Sequence, residues 1–195
     1  MSQKKYWIIT DPHFNNKGLI EHGLRKPGFE EKIISGIERC VKPGDILINL
    51  GDLGDVKSEF FKRYINIHKG KNWLILGNHD SKSVAYHIDL GFDFVAHQFE
   101  LLMFGNRILF THLPEPGCCA CGNYSLNIHG HFHNNSLETI RKKDQVCYQN
   151  MNSRQYLICM ESNMYQPFEL GWIVKDFRKN GNLLYKQKMK GVVYG

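Results

Sequence analysis

Five short clusters in this sequence carry side chains suited to chemistry. They are Asp11-Pro12-His13, Gly51-Asp52-Leu53-Gly54-Asp55, Gly77-Asn78-His79-Asp80, Thr111-His112 and Gly130-His131-Phe132-His133. Carboxylates, carboxamides and imidazoles are hard or borderline metal donors. Read as strand residues, positions i and i+2 point to the same side, which makes Asp11 with His13, and His131 with His133, two donor pairs. Asp52, Asn78 and His112 bring the set to seven donors. That is too many for one tetrahedral zinc, and the set has no thiolate. It suits two ions sharing a carboxylate, each with room for water. Two divalent cations bring four positive charges, of which Asp11 and Asp52 return two. The remaining excess lowers the pKa of a coordinated water toward ~7 and attracts a phosphoryl group.

The first four clusters directly follow apolar runs: Trp7-Ile8-Ile9, Ile46-Leu47-Ile48, Trp73-Leu74-Ile75-Leu76 and Ile108-Leu109-Phe110. A weaker run, Tyr124 to Ile128, precedes the fifth. Such runs read as buried strands, and ligands in α/β folds bind outside the carboxyl ends of strands. The expectation is that all five clusters converge at one edge of one sheet.

Between the runs, the pattern predicts helices over Phe29–Cys40, Val56–His68 and Ser81–Leu90, the last with Ser81 as N-cap. Strands are expected at 6–10, 46–50 and 72–76. Phe92–Val95, Phe99–Phe104 and Arg107–Phe110 read as antiparallel strands of a second sheet, the last two joined at Gly105-Asn106. Pro114 to Asn123 reads as a loop. Strands at 124–129 and 155–160 flank a polar loop, 134–145. Glu169–Lys179 reads as a helix stopped by Gly181, and Leu183-Leu184-Tyr185 as a final strand. With no repeat or linker, residues 1–195 are expected to form a single domain.

The apolar fraction of 42% and charged fraction of 23% are ordinary for a globular protein. No apolar run reaches the length of a signal-peptide core or a membrane span, so a cytoplasmic protein without a membrane partner is expected. The net charge of +6 suits an anionic substrate. The cations are dispersed, which leaves nucleic-acid binding open. Six Cys without a signal read as reduced thiols. Cys118, Cys119 and Cys121 lack the two-pair spacing of a zinc site and read as a packed or substrate-facing loop. His129 is expected in a supporting or buried role rather than in the site.

The order Asp-x-His, Gly-Asp-x-x-Asp, Gly-Asn-His-Asp, His, Gly-His-x-His resembles the calcineurin-like metallophosphoesterase superfamily. All five blocks stand in sequence over residues 11–133. Ile9-Thr10-Asp11-Pro12-His13-Phe14, the Arg25 loop and Asn127-Ile128-His129-Gly130-His131-Phe132-His133 look like its small phage and bacterial members. The resemblance implies an α/β fold of four layers, an αββα sandwich of two mixed sheets flanked by helices. It implies one ion held by Asp11, His13, Asp52 and His133, and another held by Asp52, Asn78, His112 and His131, with Asp52 bridging. Mn²⁺ is the first expectation, with Fe, Zn, Ni or Co as alternatives. His79 follows a ligand in the chain and looks like the general acid or a donor to the phosphoryl oxygen. Asp55 stands at the spacing where relatives place the carboxylate that orients this histidine. Arg25 is a candidate phosphate clamp, against a plain loop charge.

Departures from the pattern bear on the substrate. Val56-Lys57 and Asp80 stand where protein Ser/Thr phosphatases have Arg-Gly and Glu. Asn16 replaces a second substrate-contacting His of many small relatives and is a candidate substrate contact. The expected activity is hydrolysis of a phosphate ester, monoester or diester, in a nucleotide or other small phosphorylated molecule. The alternatives are a nuclease acting on DNA or RNA, or a non-catalytic metal-binding scaffold. A retromer subunit of this fold that lacks the catalytic histidine is the precedent for the scaffold.

Overall fold

The computed structural model describes residues 4–67, 70–116 and 125–191. In chain order the elements are β1 (Tyr6–Ile9), α1 (Lys17–Glu21), α2 (Phe29–Cys40), β2 (Ile46–Asn49), α3 (Glu59–Asn66), β3 (Lys71–Ile75), α4 (Val84–Asp89) and β4 (Phe94–Ala96). There follow β5 (Gln98–Met103), β6 (Asn106–Thr111), β7 (Leu126–His129), α5 (Leu137–Lys143), α6 (Gln145–Asn150) and β8 (Gln155–Leu157). A 3-10 turn (Met160–Asn163), β9 (Phe168–Glu169), α7 (Leu170–Asn180) and α8 (Leu183–Gly191) complete the chain.

The strands form two mixed sheets. One has the order β4-β3-β2-β1-β9, with β9 antiparallel to β1 and the rest parallel. The other has the order β5-β6-β7-β8, with only the β5–β6 pair antiparallel. Ile8, Ile48 and Leu74 of the first sheet share one buried cluster with Phe110 and Ile128 of the second. Ile33, Ile34 and Ile37 of α2, Phe61 and Tyr64 of α3, and Ile173 of α7 close that cluster. A smaller cluster of Phe132, Ile140, Cys147 and Met151 lies under α5 and α6. The architecture is the expected αββα sandwich. Among the described residues no helix is long and apolar enough to cross a membrane.

Several local expectations are corrected. β4 joins the first sheet beside β3, in register Trp73↔Phe94, rather than the second sheet. α4 bridges β3 and β4, and a parallel pair needs such a crossover. The N-cap of α4 is Ser83, whose side chain accepts from Tyr86 N, so the helix starts later than Ser81. The polar stretch 134–145 holds α5, because Ser136 caps it by accepting from Thr139 N. Asp144 then caps α6. Leu183–Tyr185 opens a helix, with Asn182 Oδ1 accepting from Tyr185 N. The five clusters do not share one sheet. β1, β2 and β3 end at the first three, while β6 and β7 of the other sheet end at the last two. Their meeting point is the seam between the sheets. His68, Tyr124, Cys118, Cys119, Cys121 and most of the 114–123 loop lie outside the described residues.

Candidate metal centre

The backbone beyond each strand turns sharply. Asp11, His13, Asp52, His131 and His133 all have positive φ, between 45° and 72°. Such a conformation costs a non-glycine residue of order 1–3 kcal/mol and persists only where surroundings over-determine it. Here the loops clamp one another: Asp11 N donates to Gly51 O at 2.9 Å, His13 N to Asp52 O at 3.0 Å and Gly130 N to His112 O at 3.0 Å. Two glycines permit this approach. A Cβ on Gly51 would collide with Gly77 N, and one on Gly130 would stand 2.7 Å from Asp11 Oδ2. Strand alternation therefore does not create the Asp11/His13 and His131/His133 pairs. These residues lie past the strand ends, and left-handed turns set their direction.

Asp80 is the main staple between loops. Its Oδ2 accepts from Asp52 N at 2.8 Å and Gly77 N at 2.9 Å, and its Oδ1 from Leu53 N at 3.0 Å. Thr10 Oγ1 and His131 N donate to Asp11 Oδ2, at 2.6 and 3.1 Å. These contacts fix the Asp52 backbone and the Asp11 carboxylate in place.

What they fix is a basin of donors. Asp11, His13 and His133 bring ligand atoms within 4.8 Å of one another, as do Asp11, Asp52 and His112. Asp52 Oδ2 lies 3.7 Å from His13 Nε2 and 3.4 Å from His112 Nε2, between the imidazoles of the two trios. His133 Nε2 stands 3.5 Å from Asp11 Oδ1. Asn78 Oδ1 meets His112 Nε2 at 2.9 Å. His131 faces differently. Its ring packs edge-on to His112, with centroids 5.3 Å apart, while its Nε2 meets Asp144 Oδ2 at 2.8 Å.

Asp11 Oδ1 is buried and has no hydrogen-bond partner. Buried polar atoms are nearly always paired, and an orphan carboxylate oxygen facing imidazole nitrogens fits a cation. On this ground the donors present fit divalent metal.

The charges are strongly coupled. Burial would raise the Asp52 carboxyl, but His112, the His79 backbone and His13 together bring it down to about 2. Burial would lower His112, yet the Asp52 hydrogen bond and the Asp11 and Asp52 charges push it up to about 9. His13 goes the other way, to about 4, because burial outweighs its carboxylate neighbours. His112 Nδ1 donates to Leu50 O at 2.7 Å, which holds the ring.

The remaining candidates separate. His79 is at the rim: its side chain is 67% exposed, with Nε2 3.9 Å from Asp52 Oδ2, while its backbone N donates to Asp52 Oδ1. Asp55 forms no hydrogen bond or ion pair with His79. Its carboxylate accepts from Asn15 Nδ2 and Lys57 N, which ties a surface turn. Asn16 is exposed before α1, and its side chain caps nothing.

Arg25 is not a free phosphate clamp. It is 4% exposed, donates to Glu161 Oε1 at 2.8 Å and Pro12 O at 3.2 Å, and lies over the Phe29 ring. Its guanidinium is spent inside the protein. His129 is buried, donates from Nδ1 to Gly130 O, and is driven down to about 4 by burial.

Sequence reasoning missed Asp144 and Glu161. They lie 11 or more residues beyond the last cluster with no local pattern to mark them. It noted Asp80 only as a departure.

The two-sheet αββα sandwich brings Asp and His donors that could hold metal to the seam between its sheets. The family model for calcineurin-like phosphoesterases matches residues 4–190, and the chain belongs to that family. An uncharacterised protein of Methanocaldococcus jannaschii is 26% identical over 191 residues, covering 92% of this chain and 94% of the relative. A crystal structure of a protein of unknown function from Aquifex aeolicus matches with a TM-score of 0.69 and 25% identity. That match covers 89% of this chain and 99% of the other.

Proposed function

We propose that this protein is a two-metal phosphoesterase that hydrolyses a P–O bond in a nucleotide or other small phosphorylated molecule. The observation carrying this reading is the buried, unpartnered Asp11 Oδ1 set among His13, His133, Asp52 and His112. Asp11, His13, Asp52 and His133 would hold one ion, and Asp52, Asn78, His112 and His131 the other. When bound, the pair supplies positive charge for the phosphoryl group and lowers the pKa of water.

The chain's own residues do the rest. Asp52, between the two sets of imidazoles, fixes their spacing. Asp80 holds the Asp52 backbone, His79 N the Asp52 carboxylate and Thr10 the Asp11 carboxylate, so that little reorganisation is needed as charge develops. His79 has an exposed ring beside the basin and, among the described residues, no polar side-chain partner nearer than the 3.9 Å approach to Asp52. In this reading it would donate a proton to the leaving oxygen. Asp55 and Arg25 have no direct part in this scheme, since their polar atoms are engaged elsewhere.

The test is hydrolysis by the Mn²⁺-loaded protein. The panel is para-nitrophenyl phosphate, its bis-ester, cyclic nucleotides, nucleoside monophosphates and short oligonucleotides. Turnover of at least one small ester, abolished by EDTA, is expected. Full turnover after exhaustive chelation would remove the two-metal reading. Turnover confined to oligonucleotides would replace the small-molecule reading with a nuclease.

A further inference from the structure

The two histidines of Gly130-His131-Phe132-His133 are each gripped by a carboxylate from outside every recognised cluster. His133 Nδ1 lies 3.2 Å from Glu161 Oε1, and His131 Nε2 lies 2.8 Å from Asp144 Oδ2. We propose that Glu161 and Asp144 are positioning residues that fix the tautomers of His133 and His131, so that the two rings present opposite nitrogens, Nε2 and Nδ1, to the basin. The proposal rests on the two-metal reading.

The physical case starts from the acceptors. An ionised carboxylate only accepts, so the ring nitrogen facing it must carry the proton, and the other nitrogen keeps its lone pair. For His133 this leaves Nε2 bare, 3.5 Å from the orphan Asp11 Oδ1. For His131 it leaves Nδ1 bare on a ring packed against His112. An outer hydrogen bond of this kind orients a ligating imidazole and raises its basicity.

Both carboxylates are themselves anchored. Glu161 lies in the first turn of the 3-10 segment, with its side chain only 10% exposed, and takes Arg25 Nε at 2.8 Å on the same oxygen. Arg25 is pinned in turn by Pro12 O and by the Phe29 and Tyr165 rings. This gives the buried guanidinium a purpose: it holds Glu161 in place and ionised. Burial would raise the Glu161 carboxyl, but His133 and Arg25 take it well below the usual range. Asp144 uses its other oxygen to cap α6, accepting from Cys147 N at 3.0 Å. The position of His131 is therefore tied to a helix start on the second sheet's side.

One contact competes. Arg25 Nη2 also stands 3.2 Å from His133 Nδ1, and a guanidinium only donates. If that contact ruled, Nδ1 would be bare and Nε2 protonated, facing Asp11. A cation in the basin requires the lone pair at Nε2, which selects the Glu161 tautomer.

The full-length protein with ¹⁵N-labelled histidine, loaded with ¹¹³Cd²⁺, reads this directly. Scalar coupling to cadmium is expected at Nε2 of His133 and Nδ1 of His131. Asp144→Asn keeps the helix cap, since Asn caps as well as Asp, and should weaken Cd²⁺ and Mn²⁺ binding by roughly 10–100-fold. Its metal-free melting temperature should stay near wild type. Glu161→Gln should weaken binding by at least as much, and Glu161→Asp should restore part of it. Because Glu161→Gln leaves Arg25 without its charge partner and risks misfolding, the wild-type coupling pattern and Asp144→Asn decide the matter. Coupling through the same nitrogen in both rings, or unchanged affinity in Asp144→Asn, would overturn the proposal while His13 and His112 still couple to cadmium. Loss of coupling at His13 and His112 as well would overturn the two-metal reading along with it.

Discussion

The two ends of β1 solve opposite problems. At its N-terminal end a cavity of about 450 Å³ opens between the β5–β6 hairpin and α7, lined by Lys5, Tyr6, Phe104, Trp172, Lys175 and Arg178 among others. Three of its charged groups are already engaged there: Lys5 meets Glu169 at 2.8 Å, and Arg178 donates to Phe104 O. At its C-terminal end the backbone is left-handed at five of the candidate donor residues, and a buried carboxylate oxygen has no partner. Backbone strain and unmet polar demand mark the end of β1 where the proposed chemistry lies.

Four experiments break or sharpen that contrast. The largest effect belongs to Asp52→Asn, which removes a charge from the point facing both sets of imidazoles. Metal per chain should fall further than in His13→Ala, and turnover should drop well beyond the ~10–100-fold typical of losing an outer hydrogen bond to a ligand. An Asp52→Asn protein still holding two ions would take Asp52 out of the bridging position.

Next is His79→Ala. No donor of the basin is removed, so both ions should stay bound, while turnover falls by roughly 10²–10⁴-fold. The loss should be smaller for a para-nitrophenyl ester, whose leaving group needs little protonation, than for an alkyl or nucleoside ester. Equal loss on both kinds of ester would exclude an acid role.

The third effect is a matter of pH. In metal-free protein His112 sits at about 9 against an ordinary 6.5. A raised pKa favours the protonated folded state, so this stabilisation is full below ~6.5 and is lost as pH rises through about 9. Metal takes the neutral ring, so loading at pH 7 should release a proton from His112. His13, lowered to about 4, should release none. A pH indicator during titration reads this, and His112→Gln should remove the proton. An unchanged release in that variant would assign the proton elsewhere.

The smallest effect tests the other end of β1. Trp172→Ala in the N-terminal cavity should leave turnover of a small ester within about threefold, or ~0.7 kcal/mol in barrier. A large loss would mean that the cavity and the basin are coupled.

That Asp11, His13, Asp52, His112 and His133 come together was legible because their clusters stood in order after apolar runs, and local apolar pattern is what sequence reports best. α2 was read to its boundaries because Ile33, Ile34 and Ile37 lie on one stripe and Pro43-Gly44 stops the helix. The route by which the clusters meet was not legible. It depends on left-handed turns at Asp11 and Asp52 and on two sheets meeting at a seam, both products of tertiary clamping. Arg25 misled because a loop arginine followed by Lys26-Pro27-Gly28 reads as solvated. Nothing nearby announces Glu161, 136 residues away. Asp55 misled because spacing gives proximity in the chain, while Asn15 and Lys57 N compete for its oxygens. α5 and α8 were missed where single caps, Ser136 and Asn182, decide a polar stretch.

The central claim is that the seam between the sheets holds two divalent ions sharing Asp52. Anomalous diffraction from crystals of the Mn²⁺-loaded protein, paired with elemental analysis of the same sample, tests it most directly. The account predicts two manganese peaks roughly 3.5–4 Å apart, flanking the Asp52 carboxylate, with Asp11 Oδ1 turned to one of them. A single peak, or a pair of peaks that leaves Asp11 and Asp52 uncoordinated, would contradict it.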